Sequence, residues 1–164
     1  MRALVCLLAI MPFAASADGL MDRAVGFGTL VYEDRDAPIF TGIRHGAIVS
    51  DEVEYGLAPE GEQNGWDVVS AIVDIGDDTV RISYPDWTAG RFPDTTFNGY
   101  VLDFMTDCVL FADAAQDTAN STTVLGDGAI FVEGAALYID VGGVDYGADT
   151  VISVTLDVQD CPMS

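Results

Sequence analysis

Asp67–Tyr84 reads DVVSAIVDIGDDTVRISY, and this stretch decides the fold class. Val69, Ala71, Val73 and Ile75 alternate with smaller or polar residues, and Val80, Ile82 and Tyr84 alternate with Thr79, Arg81 and Ser83. A period of two places successive side chains on opposite faces of a strand, so both segments read as half-buried strands with GDD as the hairpin turn between them. Pairing Ile75 with Val80, Val73 with Ile82 and Ala71 with Tyr84 keeps the apolar partners on one face. That register requires a loop of two or four residues. Four, Gly76–Thr79, is expected, because consecutive aspartates suit poorly the positive φ that a two-residue type I′ turn demands twice.

Outward from the hairpin, the same period recurs. Ala24–Glu33 reads as a strand with Val25, Phe27 and Val31 on one face, closed by the charged, proline-containing run Glu33–Pro38. Ile39–Ser50 is irregular, with a brief pairing expected at Ala47-Ile48-Val49. Asp51–Leu57 alternates Val53 and Tyr55 against Glu52 and Glu54, and Ala58–Gly65 is a polar loop. Pro85–Thr96 reads as a long loop carrying Trp87, Arg91 and Phe92. Phe97–Met105 is a strand with Tyr100, Leu102 and Phe104 on one face, and Cys108–Phe111 is another, short one. Ala112–Thr122 reads as loop, Ala129–Val132 and Ala135–Val141 as strands broken at Gly134, and Gly142–Asp149 as a turn. Thr150–Val158 closes the series with Ile152, Val154, Leu156 and Val158 facing in. Eight to ten short strands without a helical-period segment imply an all-β fold, an antiparallel β-sandwich of jelly-roll or Ig-like type, or else a barrel.

The first seventeen residues read as a secretory signal peptide: Arg2, the apolar run Ala3–Phe13, and the small-residue cleavage pattern Ala15-Ser16-Ala17. Residues 18–164 then form a single domain. Every basic residue is arginine, and one of the six leaves with the leader, so five arginines face 27 acidic residues, a formal charge of −22. Such a field repels nucleic acid and anionic membrane surfaces. It suits solubility in salt, recruitment of cations, or a basic protein partner. Removal of the leader takes Cys6 with it. Cys108 and Cys161 remain as an even pair, expected to form a disulfide in an oxidising compartment, periplasmic or extracellular.

The succession EVEYG, DIGDDTVRI, FNGYVLDF, AIFVEGAALYIDV and DTVISVTLDV, across about residues 51–158, resembles the β-sandwich region of small secreted bacterial proteins of the exosortase-sorted, PEP-CTERM type. The resemblance implies a non-enzymatic exported role and carries no catalytic residues. The family's C-terminal Pro-Glu-Pro motif, apolar span and basic tail do not follow here, so sorting and anchoring are not carried over.

Candidate sites are few. His45 is the sole histidine and lacks a nucleophile motif, so it reads as a surface-loop residue. A hydrolase built on a carboxylate pair is the alternative from another class, and an inhibitor presenting acidic loops is a third. Oxygen-rich turns make calcium the one cofactor to consider, at Asp74, Asp77 and Asp78 and at Asp145 and Asp149. Those aspartates equally serve as turn formers. Trp66, Tyr84, Trp87, Phe92 and Tyr100 supply either core packing or a saccharide-stacking platform, with Trp87 and Arg91 as the candidate ligand contacts. Asn120–Thr122 (NST) matches a glycosylation acceptor and marks a surface loop.

Overall fold

The computed structural model describes residues 19–56, 69–104 and 109–160. The described residues contain no helix. The strands are β1 (Ala24–Tyr32), β2 (Phe40–Thr41), β3 (His45–Ile48), β4 (Ile72–Ile75), β5 (Thr79–Ser83), β6 (Gly90–Arg91), β7 (Phe97–Phe104), β8 (Val109–Gln116), β9 (Ile130–Glu133), β10 (Ala136–Asp140), β11 (Asp145–Tyr146) and β12 (Val151–Asp160). One sheet runs β2-β1-β7-β10-β9, with β3 also paired to β1; the other runs β4-β5-β12-β8. All of these ladders are antiparallel. The two sheets face each other across one apolar core, a β-sandwich.

The deciding hairpin has the expected register, with Ile75 opposite Val80 and Val73 opposite Ile82. The Gly76 N–H donates to the Thr79 carbonyl at 2.9 Å within the loop, and neither Asp77 nor Asp78 takes a positive φ. Val73, Ile75, Val80 and Ile82 are all buried. Facing them, Val25 and Phe27 of β1, Leu102 of β7 and Leu137 and Ile139 of β10 fill the other half of the core. The β9–β10 turn needs its glycine: Gly134 has φ +62° and Ala135 does not follow it, the pattern of a type II′ turn.

Four sequence expectations are corrected. Asp51–Leu57 is not a strand within its described part, where only Tyr55 bridges Val73 and Val53 is exposed. Glu54 explains this, because its carboxylate accepts the Ser50 and Ile75 N–H groups and holds the segment in a turn. Ala112–Gln116 belongs to β8 rather than to a loop. A register shift there passes from Asp157 opposite Asp113 to Val158 opposite Phe111, so one extra residue interrupts the period of two that alternation relies on. The two expected loops, Pro85–Thr96 and Gly142–Asp149, pair with each other through β6 and β11. His45 lies in β3 opposite Phe27, and its carbonyl accepts the Tyr55 hydroxyl at 2.6 Å. The expected Ala58–Gly65 loop, Trp66 and the leader lie outside the described residues.

Candidate functional site

The two ends of the sandwich are built differently. At one end the chain entering β1 acts as a plug. The Leu20 N–H donates to the Asp77 carbonyl at 2.8 Å, the Met21 N–H donates to the Asp77 carboxylate, and the Leu20 side chain is fully buried. A Cβ at Gly19 would meet the Asp77 carboxylate at 1.9 Å, so any larger residue there has to displace that side chain. At the other end no such plug enters among the described residues. Along one face of β1, Val25 and Phe27 are buried, while Thr29 and Val31 are only half-buried. At this end β5 stops at Ser83 and its neighbour β12 begins at Val151, while β1 runs on to Tyr32.

The overhang bounds a cleft of about 340 Å³. Val31 of β1, Ile39, and Phe40 of β2 form one wall. Phe92, Pro93 and Val141 form the other, and Val69 leads into it from the β4 side. Asn98 and Tyr100 of β7 line its base, and none of the described lining residues is charged. Tyr100 is anchored from behind: its hydroxyl lies 3.2 Å from that of Tyr84, and its ring meets Phe27 and Phe92. Burial pushes the Tyr84 phenol up to about 12, against the downward pull of the Tyr100 hydrogen bond.

Asn98 is the polar residue of this surface. It is only 7 % exposed, its backbone N–H donates to Asp140 Oδ1, and its side-chain Nδ2 donates to the Pro93 carbonyl at 2.8 Å. That bond fixes which amide atom points where, and Oδ1 has no donor among the described residues. The sequence held a signal for it that was missed. Asn98 shares the inward face of β7 with Tyr100 and Leu102, and a polar residue on an apolar stripe must find hydrogen-bond partners there.

The residues singled out from the sequence are placed as follows. Tyr84, Phe92 and Tyr100 are buried and, with Tyr146, form a continuous ring cluster rather than an exposed platform. Trp87 is 65 % exposed, and Arg91 is engaged by Asp145 at 3.0 Å across the β6–β11 ladder. The five aspartates considered for calcium are spread among separate duties: Asp74 sits opposite Arg81, Asp77 accepts the Met21 N–H, the Asp78 carbonyl accepts from Leu156, Asp145 pairs with Arg91, and the Asp149 carbonyl accepts from Thr122. Among the described residues no three metal-ligating side chains gather. The shifted carboxyls, Asp117 and Glu133, move down, through Asn120 and Arg35 respectively, which is opposite to the shift a general acid needs. In the NST triplet, the Asn120 amide donates to Asp117 and the Thr122 hydroxyl donates to Asp149. Cys108 and Cys161 lie outside the described residues, but their chain neighbours Val109 and Asp160 are register partners in the β8–β12 ladder.

Among the described residues no helix is long and apolar enough to cross a membrane. No protein-family model matches the chain. Neither the curated proteins nor the solved structures give a match.

Proposed function

We propose that this is an exported, non-enzymatic binding protein of the periplasm or cell exterior, whose ligand occupies the cleft at the unplugged end of the sandwich. The cleft carries this reading. Ligand sites are typically concave, mostly apolar, and fitted with a few polar groups, in volumes from about 300 Å³ upward. Here apolar walls meet one buried amide, backed by a ring cluster that holds the base rigid. Export is supported by the leader pattern ending at Ala17, because Leu20, three residues on, is already part of the core.

Two measurements test the two halves. Intact mass of protein secreted by the native host is expected to give an N-terminus at Asp18; a retained leader would end the export reading. For binding, residues 18–164 are titrated with the fluorescent apolar probe N-phenylnaphthylamine. Saturable one-to-one uptake is expected, and Val31→Trp, which fills the cleft, is expected to abolish it. An unsaturable rise, unchanged by Val31→Trp, would show the probe meeting general surface and remove the site.

A further inference from the structure

We infer that the cleft selects an uncharged, apolar molecule that carries a hydrogen-bond donor at one end, a long-chain alcohol in the simplest case, and that Asn98 Oδ1 reads the donor. This inference rests on the binding reading above and adds the ligand's chemistry. Size comes first. At ~30 Å³ per water-sized group, 340 Å³ holds about a dozen non-hydrogen atoms, the scale of a ten-carbon chain with a head group.

Charge comes next, and it excludes both ionic heads. A carboxylate would approach a protein of strongly negative net charge and find no cation among the described lining residues. An ammonium would be drawn in by the field, but none of the described lining residues carries a carboxylate to receive it, and an unpaired charge in apolar surroundings is costly. A neutral head is left.

Polarity then orients it. Asn98 Nδ2 is committed to the Pro93 carbonyl, so the amide presents its oxygen, an acceptor, at the cleft. Oδ1 is not sealed from solvent, so a ligand that covers it leaves the acceptor unpaired unless it brings a donor of its own, and a ligand hydroxyl does. An ether or ester, which only accepts, does not.

The experiment uses two isomers, decanol and methyl nonyl ether, to displace N-phenylnaphthylamine from residues 18–164. They share atoms and length, and only the alcohol donates. Decanol is expected to displace the probe at a roughly fivefold lower concentration, the scale of one net hydrogen bond. Without the Asn98 contact the order reverses, because the ether surrenders less hydration on entering an apolar cleft. An ether that binds as well as or better than decanol therefore overturns the inference while leaving the site intact. Decanoate at pH 8 is expected to displace poorly, and displacement as strong as decanol's overturns the charge argument. Asn98→Leu, checked for folding by thermal melting, is expected to put the ether ahead; a variant that still prefers decanol sinks the assignment to Asn98. The wild-type ranking stands even where that variant does not fold. Failure of the probe to bind at all would remove the underlying reading, and this inference with it.

Discussion

The plugged and unplugged ends of the sandwich use the same strands and the same alternation, yet one is solid and the other hollow. On β1, Val25 and Phe27 are packed in the core, and Thr29 and Val31, on the same face, border the cleft. What differs is what lies opposite. The plugged end is closed by Leu20, by the Asp77-Asp78 turn, and by the Asp78 carbonyl accepting from Leu156. The other end is flanked by the β6–β11 pair and the Phe92–Pro93 segment, which line a wall without filling the space. Inward alternation thus specifies which face is apolar, and the reach of the opposite sheet decides whether that face becomes core or cavity.

The largest test of this contrast concerns the plugged end. The ladder pair Val109–Asp160 lies there, since β8 leaves it near the β9–β10 turn through the bond from the Phe111 N–H to the Gly134 carbonyl. Cys108 and Cys161 adjoin that pair in the chain and are expected to be bridged. They stand 53 positions apart (161 − 108), so chain entropy puts the loss on reduction at about 4 kcal/mol. Urea unfolding with and without dithiothreitol measures it, alongside a thiol titration of unfolded, unreduced protein. Two free thiols would mean that the plugged end is held by packing and hydrogen bonds without a covalent staple.

Next in size is Leu102→Ala. Leu102 is fully buried between the sheets, so truncation removes transfer energy and leaves a void, about 3 kcal/mol in all. Probe affinity of the folded fraction should stay unchanged, because the site lies at the other end. A loss of affinity at constant fold would show that the two ends are coupled.

The unplugged end has a pH signature. The Tyr84 phenol, held up to about 12 chiefly by burial, keeps its proton in the fold after an unfolded tyrosine has lost its own near 10. The unfolded state therefore binds fewer protons across that window. Stability is full below pH 10 and falls as pH rises toward 12, by about 2 to 3 kcal/mol. Tyr55 is also raised, by burial first and then by Glu54, so Tyr84→Phe should remove its own share of the alkaline loss and not all of it. Urea midpoints at pH 9 and pH 11.5 measure this; equal slopes for wild type and Tyr84→Phe would place Tyr84 in contact with solvent.

Much of the fold was legible because antiparallel pairing with one buried face leaves a period of two. The Ile75–Val80 pairing and the closing strand, expected over Thr150–Val158 and observed as Val151–Asp160, were read on that basis. Legibility failed where a side chain or an extra residue replaced the ladder. Glu54 capped backbone groups that alternation had assigned to a strand, and the register shift in β8 hid its second half. β6 and β11 failed for another reason: two residues apiece hold no period, and their pairing joins segments 54 positions apart. The cleft was least legible, because it depends on where β5 and β12 stop relative to β1 in the facing sheet. Only Asn98 among the apolar positions of β7 hinted at it.

Val31→Ala carries the smallest expected effect on stability, and for that reason it separates the ends most cleanly. Val31 faces the same way as Val25 and Phe27, so alternation alone assigns it a full core role. The structure leaves it half-buried at the cleft wall, where truncation enlarges an existing hollow and creates no new void. The cost in urea unfolding should stay under about 1 kcal/mol, well below that of Leu102→Ala. Binding should respond in the opposite proportion. Removing wall methyls takes contacts from whatever occupies the cleft, and the loss of about one partly buried methylene's worth weakens probe binding roughly threefold. Leu102→Ala is thus a stability lesion with binding preserved, and Val31→Ala a binding lesion with stability preserved. If Val31→Ala destabilises the protein as much as Leu102→Ala, the unplugged end is filled in solution and the contrast between the ends disappears.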